Sequence, residues 1–245
     1  MDVIGVIPAR YGATRFEGKV LADILGRPMI QHVWEQAKKA RLLNDLVIAA
    51  DDERIINAAK KFSAKTVLTA KGHTSGTDRL TEVVNQLDVK IVVNIQADEP
   101  LINPTIIDRL AGVLLDDPNI YIASVIKKIK SKDQIKDPNV VKVVVDRQGF
   151  ALYFSRAAIP HCQDDKKSGA VYYKHLGLYA YTKDFLFTYT NLPQSALEKS
   201  EHLEQLRALE NGYRIKVIET EYDSIGVDTK EDLELVKKIL LKKND

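Results

Sequence analysis

Short apolar runs alternate with amphipathic stretches through the first half of the chain. Residues 3–7 form a β-branched run of the length of a buried strand, with Pro8 marking its end. A polar loop follows, carrying Arg10, Gly12, Arg15, Gly18 and Lys19, and then an apolar patch at 20–25 and a Gly-Arg-Pro turn. Ile30, Val33, Trp34, Ala37 and Ala40 recur at helical spacing and predict a helix over 29–41. Residues 46–50 predict a second strand ending in Asp51-Asp52; helix is expected over 54–62, strand over 65–68 and helix over 80–87. Residues 90–95 are the strongest strand signal and run directly into Gln96-Ala97-Asp98-Glu99-Pro100, after which Pro104 opens a helix reaching Leu115. This alternation predicts an α/β fold built on a mostly parallel, doubly wound sheet.

The pattern changes in the second half. Strands are predicted over 120–126, 140–145, 150–155 and 176–181, with Asp146-Arg147-Gln148-Gly149 as a hairpin turn, which points to a smaller mixed or antiparallel sheet. One helix is expected over 196–211, closed by Gly212, then a strand over 215–218 and a last helix over 229–241 with Thr229 as its N-cap. Without a repeat or a linker, residues 1–245 read as one domain, in which about 120–182 form a sub-region of their own.

Composition narrows the function classes. The chain has 245 residues, of which 45% are apolar and 29% charged, and a net charge of +2, so no global field points to nucleic acid or to an anionic membrane surface. Cys162 is the only cysteine, which excludes an intrachain disulfide and a cysteine-built zinc site. No signal segment opens the chain and no apolar run approaches the ~18 residues of a membrane span, so the expectation is a cytoplasmic protein without membrane insertion.

Open parallel sheets bind ligands beyond the carboxyl ends of their strands. The loop from Ala9 to Lys19 lies at such an end. Its glycines and cations suit a polyphosphate, although neither G-x-x-x-x-G-K-[ST] nor G-x-G-x-x-G is present, and a solvated surface connection competes evenly. Asp98 stands where a short carboxylate could hold Mg²⁺ or cap a local turn. Asp228 could join it or belong to the start of the last helix. His32, His73, His161, His175 and His202 lack zinc spacing, and His175, before an apolar strand, is the best placed to contact a polar ligand.

Seven segments in order, IPARYGATRFEGKVLADILGRPMIQHV, TSGTDRLTEVV, VVNIQADEPLI, NVVKVVVDRQGFALYFSRAAIP, KHLGLYAY, LEQLR and GVDTKEDLE, make the sequence resemble the 3-deoxy-manno-octulosonate cytidylyltransferase (CMP-Kdo synthetase) family over nearly its whole length. The resemblance implies a Rossmann-like nucleotidyltransferase that joins CTP and Kdo into CMP-Kdo and pyrophosphate with Mg²⁺, for lipopolysaccharide synthesis, as a homodimer. It implies that Ala9, Arg10, Gly12, Arg15, Lys19, Ser75, Gly76, Arg79, Gln96, Ala97 and Asp98 meet the nucleotide. Gln96, Arg156, His175, Tyr179, Glu204 and Gln205 would then meet the sugar acid, Asp98 and Asp228 the metal, and Arg10, Lys19, Asp98 and Asp228 would act in catalysis. The loop departs from the family's S-T-R-L-P-G-K-P-L, with Glu17 and Val20 in place of prolines, and Ala97 replaces a glycine. The alternatives are a cytidylyltransferase for another acidic sugar, such as a sialic acid, and a non-catalytic nucleotide-binding protein on the same fold.

Overall fold

The computed structural model describes residues 1–12, 16–73, 75–163, 169–223 and 225–244. The chain divides into two compact units, one of Met1–Gly112 with Ser224–Asp245 and one of Val113–Asp223. The first unit opens with β1 (Val3–Ala9) and a two-stranded hairpin, β2 (Asp23–Ile24) and β3 (Arg27–Pro28). Then come α1 (Met29–Ala37), β4 (Asp45–Ala50), α2 (Glu53–Lys60), β5 (Thr66–Leu68), α3 (Gly76–Val84), β6 (Ile91–Asn94) and α4 (Pro104–Asp116).

The strands of this unit lie in the order β6-β1-β4-β5, all parallel. The chain builds outward from β1 in one direction and then crosses to its other side, so the order reverses between β1 and β6. Beyond the carboxyl ends of these two strands lie Arg10–Gly12 and Gln96–Asp98, the position where such sheets bind nucleotides.

Pro8 does not end the first strand, which continues through Ala9. Val6 O accepts from Ile95 N on the β6 side, and Ala9 O accepts from Asp51 N on the other. Pro8 therefore faces the β6 side, past the last Val6–Asn94 pair, where the ladder demands no N–H.

The second unit holds β7 (Ile122–Lys128), α5 (Lys132–Lys136), β8 (Lys142–Val145), β9 (Ala151–Ser155), β10 (Tyr173–Thr182), α6 (Lys183–Asn191), α7 (Ala196–Glu201), α8 (Leu206–Glu210) and β11 (Lys216–Glu219). Here β7 and β10 are antiparallel, β8 joins β10 and β9 antiparallel, and β11 runs parallel to β7. The expected mixed sheet is present.

The single helix expected over 196–211 is broken in two. His202 adopts a left-handed conformation (φ 52°), and a Glu198–Arg207 ion pair braces the elbow. Helix α6 went unpredicted because FLFTYT has strand-like composition; Phe185, Leu186 and Tyr189 nonetheless bury a helical stripe, with Thr182 as N-cap.

The chain returns to the first unit with α9 (Lys230–Asn244). Leu233 and Val236 pack with Val227 against Ile24 and Met29, fastening the C-terminal segment to the hairpin. Gly5, in the middle of β1, faces tight packing: a β-carbon there would come within 2.7 Å of Leu46 Cδ1 and 2.9 Å of Leu43 Cδ1. Both contacts are side-chain ends, so Gly5→Ala is expected to cost ~1 kcal/mol, at the low end for overpacking, read from urea unfolding. An unchanged midpoint would show that the two leucines yield freely.

Candidate active site

Three segments far apart in sequence meet at the sheet's reversal point. Lys19 Nζ donates to Asp98 Oδ2 at 2.7 Å, to Asp228 Oδ1 at 2.8 Å and to Val227 O at 3.1 Å. Burial pulls the Lys19 pKa down, but Asp98 and then Asp228 outweigh it and the net shift is upward, so the ammonium stays charged. Val227 N donates to Asp98 O at 2.9 Å, so the backbone registers the two carboxylates as well.

Asp228 is free for this role because its neighbours start the helix. Thr229 N and Asp228 N both donate to Asp232 Oδ2, and Asp232 N donates to Thr229 Oγ1. The Asp228 carboxylate therefore accepts from Lys19 instead of capping the helix.

The loop after β1 is held in shape by its own contacts. Gly18 N donates to Tyr11 O at 2.8 Å, and Gly18 has φ 67°; a β-carbon there would sit 3.1 Å from the Tyr11 ring, so glycine is required on both counts. Tyr11 N donates to Asp51 Oδ1 at 3.0 Å. Arg79, almost fully buried, pairs with Asp51 Oδ2 at 3.2 Å and also bonds Thr69 Oγ1 and Ala70 O. Arg10, Tyr11, Gly12, Arg54, Lys71, His73 and Arg79, together with the carboxylates Glu17, Asp51 and Asp52, line a cleft of about 380 Å³. Arg54 lies 3.4 Å over the Tyr11 ring centroid and chelates Asp52, the N-cap of α2.

Several expected ligands have structural duties. Ser75 caps α3 in a capping box with Asp78, each accepting the other's backbone N–H at 3.1 Å. Arg79 acts on the loop through Asp51. Ala9 and Ala97 are buried at the ends of their segments, Gly76 begins α3, and Gln96 is partly buried. Arg15 lies outside the described residues. Sequence reasoning missed Tyr11, Arg54, Lys71 and His73; cations just past β4 and β5 were the available signal, since those strands end at the same edge of the sheet.

The second unit gathers a different kind of group. The His175 ring packs against Phe154 at 5.0 Å and Tyr179 at 5.3 Å between centroids, and Ser124 Oγ lies 2.8 Å from its Nε2. Burial pushes the His175 pKa down to about 3, so the imidazole is neutral at ordinary pH. Burial, and then the Glu204 carboxylate, raise the Tyr179 pKa well above its ordinary value. The Tyr179 hydroxyl and Gln205 Nε2 are buried without a hydrogen-bond partner, a costly condition in a folded core. Arg156 is already engaged: Nε donates to Glu201 O at 2.7 Å and Nη1 to Pro138 O at 3.0 Å.

Asp98 and Asp228 offer hard oxygen donors to one shared cation. Among the described residues no group of three or more His, Cys, Asp or Glu converges on a metal position. A divalent ion would therefore complete its shell with substrate oxygens and water, as Mg²⁺ usually does, and the donor set fits it.

A parallel sheet with a cation-rich loop and paired carboxylates at its reversal point has the make-up of a nucleotidyltransferase. The sequence profile of the family described as Cytidylyltransferase matches residues 4–218. The 3-deoxy-manno-octulosonate cytidylyltransferase of Solibacter usitatus (strain Ellin6076) is 52% identical, covering 97% of this chain and 94% of its own length. That of Geotalea uraniireducens (strain Rf4) is 49% identical, covering 99% and 100%. The solved structure of a CMP:2-keto-3-deoxy-manno-octonic acid synthetase complexed with CTP superposes with a TM-score of 0.94 at 41% identity, covering 99% of this chain and 100% of that one. The chain belongs to the 3-deoxy-manno-octulosonate cytidylyltransferase family. Its enzyme class and its α/β fold are those expected from the sequence.

Two outcomes test this geometry. Asp51→Ala leaves the buried Arg79 charge without its carboxylate and should destabilise by ~3 kcal/mol in urea unfolding, with Asp51→Asn costing less. A loss under ~1 kcal/mol would mean that Arg79 is held by Thr69 and Ala70 alone. For His175, the unfolded side chain takes up a proton near pH 6.5 while the folded one resists it to about 3. Its contribution to stability is therefore complete above 6.5 and declines as pH falls from 6.5 towards 3, at up to ~1.4 kcal/mol per pH unit. His175→Gln should flatten the dependence of stability on pH in that window. Equal slopes would show that His175 titrates normally.

Proposed function

We propose that the chain transfers CMP from CTP to Kdo, releasing pyrophosphate and activating the sugar acid for lipopolysaccharide synthesis. The observation that carries this reading is the convergence of Lys19, Asp98 and Asp228 at the sheet's reversal point, in a chain about half identical to cytidylyltransferases named for Kdo. In the reaction the sugar's anomeric oxygen attacks the α-phosphorus. The bond from that phosphorus to the bridging oxygen breaks, the electron pair leaves with pyrophosphate, and the hydroxyl proton is released.

The protein's part is to neutralise and align. Arg10, Arg15 and Lys19 balance the triphosphate's charge, with Arg54 and Lys71 adding to the cleft's field. Gly12 and Gly18 shape the loop, while Ser75, Gly76 and Arg79 anchor the walls around the nucleotide. Gln96 and Ala97 bring the backbone of the β6 end to the nucleotide. Asp98 and Asp228 would hold Mg²⁺, which when bound would supply Lewis-acid activation of the hydroxyl and charge neutralisation at the α-phosphate. Lys19 then exchanges its two carboxylates for phosphate oxygens.

Among the residues of the second unit, the unpartnered Tyr179 hydroxyl and Gln205 amide, with His175 and Glu204, supply neutral and anionic partners for sugar hydroxyls. Arg156 contributes its charge, and the N–H groups not engaged by carbonyls, to the acid's carboxylate. The same reading includes the sugar-binding and dimerisation role of about 120–182 within one domain, a homodimer and a cytoplasmic setting. No described helix is long and apolar enough to cross a membrane.

Purified protein with Mg²⁺ and Kdo should release pyrophosphate with CTP in preference to the other three ribonucleoside triphosphates. Asp98→Asn should keep the fold and lose turnover by ~100-fold. Absence of Kdo-dependent pyrophosphate with every triphosphate would refute the proposal, and product from sialic acid alone would put the alternative in its place. Near-normal turnover of Asp98→Asn would remove the metal assignment.

A further inference from the structure

Strand β10 slips against β7 between Leu176 and Tyr179: Leu176 pairs with Val125, and the next pair is Tyr179 with Ser124. The regular pairing of the two strands is therefore interrupted at residues 177–178. Ser124, wholly buried, lies at this irregularity. Its Oγ lies 2.9 Å from Leu178 O, 3.3 Å from Leu176 O and 2.8 Å from His175 Nε2.

A hydroxyl has one hydrogen; two of its neighbours are carbonyl oxygens that can only accept, while His175 Nε2 and the nearby Tyr179 hydroxyl can each give or take a proton. Turned towards Nε2, it would leave the Oγ lone pairs facing two carbonyl oxygens with no proton between them. Turned towards Leu178 O, it satisfies the nearer carbonyl and lets Oγ accept from Nε2–H. The second arrangement leaves only the longer contact, to Leu176 O at 3.3 Å, without a proton, where the first leaves both carbonyls so, and the hydrogen-bond network thereby assigns the tautomer. A neutral imidazole carries one N–H, and with the proton on Nε2 the other nitrogen keeps its lone pair. The ring is held between Phe154 and Tyr179, which limits its rotation.

From this geometry we infer that Ser124 is a positioning residue, which fixes His175 as the Nε2–H tautomer and so presents Nδ1 as a hydrogen-bond acceptor for a hydroxyl of the sugar acid. An acceptor at that point takes a hydroxyl and rejects a carboxylate, so it helps decide which way round an acidic sugar binds. The inference rests on the reading that places His175 among the sugar-acid residues. The tautomer itself does not depend on that reading. Burial of the ring keeps it neutral and makes the same tautomer available across the working pH range.

The wild-type protein tests the first half without substrate. Nitrogen-15 NMR of the His175 side chain at pH 7 should show Nε2 protonated and Nδ1 bare, and Ser124→Ala should mix the two tautomers. With Kdo and CTP, Ser124→Ala should raise KM for the sugar acid about 10-fold, the loss of one hydrogen bond. KM for CTP should hold, and kcat should stay within about twofold because no group at the reacting phosphorus is touched. Ser124→Thr, which keeps the hydroxyl, should restore both the tautomer and KM. A protonated Nδ1 in the wild type, or a tautomer and KM unmoved by Ser124→Ala, would overturn the role given to Ser124. If the tautomer is as stated but His175→Gln leaves the sugar KM unchanged, the placement of His175 at the sugar is overturned instead.

Discussion

Two carboxylates at the carboxyl end of a sheet repel each other unless a cation stands between them, and here the ammonium of Lys19 does so. The three side chains come from the loop after β1, the end of β6 and the segment before α9, separated by as many as 209 positions along the chain. The Lys19–Asp98 pair is partly buried and so only moderately screened, whereas Asp228 is exposed and its attraction to Lys19 is weaker; the rest of the first unit is arranged to bring the three together. The apolar cluster of Ile24, Met29, Val227, Leu233 and Val236 docks the C-terminal helix, and the Val227–Asp98 backbone bond sets its register. Burial of those five side chains supplies the free energy, and the charges supply the alignment.

Around that centre most charged side chains act on other side chains. Arg79 holds Asp51, Asp51 holds the Tyr11 backbone, and Tyr11 closes on Gly18. Tyr11 and Gly18 are thereby fixed without a ligand, and under the proposed function such preshaping lowers the entropy cost of binding. The prolines absent at Glu17 and Val20 would have stiffened the same loop through the backbone; here part of that stiffness comes from the Gly18–Tyr11 bond and the stacked Arg54.

The groups packed around His175 in the second unit are neutral ones. Phosphates are bound by charge, but sugar hydroxyls are told apart by the direction of donors and acceptors, which needs groups of settled protonation. A histidine with its pKa pushed down to about 3 and a tyrosine with its pKa pushed far up are such groups, and burial is the leading cause of both shifts. The unpartnered Tyr179 hydroxyl and Gln205 amide are costly in a folded core, a cost that the proposed binding of a polar ligand there would offset.

Much of this was legible in the chain itself. The apolar runs of β1, β4 and β6, the amphipathic α1, α2 and α4 and the mixed strands of the second half follow from period and composition, because side-chain burial at 2.0 or 3.6 residues is a local property. The loop cations and Asp98 were legible for the same reason: they sit directly after strands. Tertiary structure alone decided the rest. Whether Asp228 capped a helix or faced Lys19 depended on Asp232 taking the capping role. Whether Pro8 ended a strand depended on where β6 stopped, and the break at His202 on a salt bridge across the elbow. Above all, the tautomer of His175 depended on a register slip that places two carbonyls over Ser124. Each of these turns on a distance between residues remote in sequence, which no local pattern encodes.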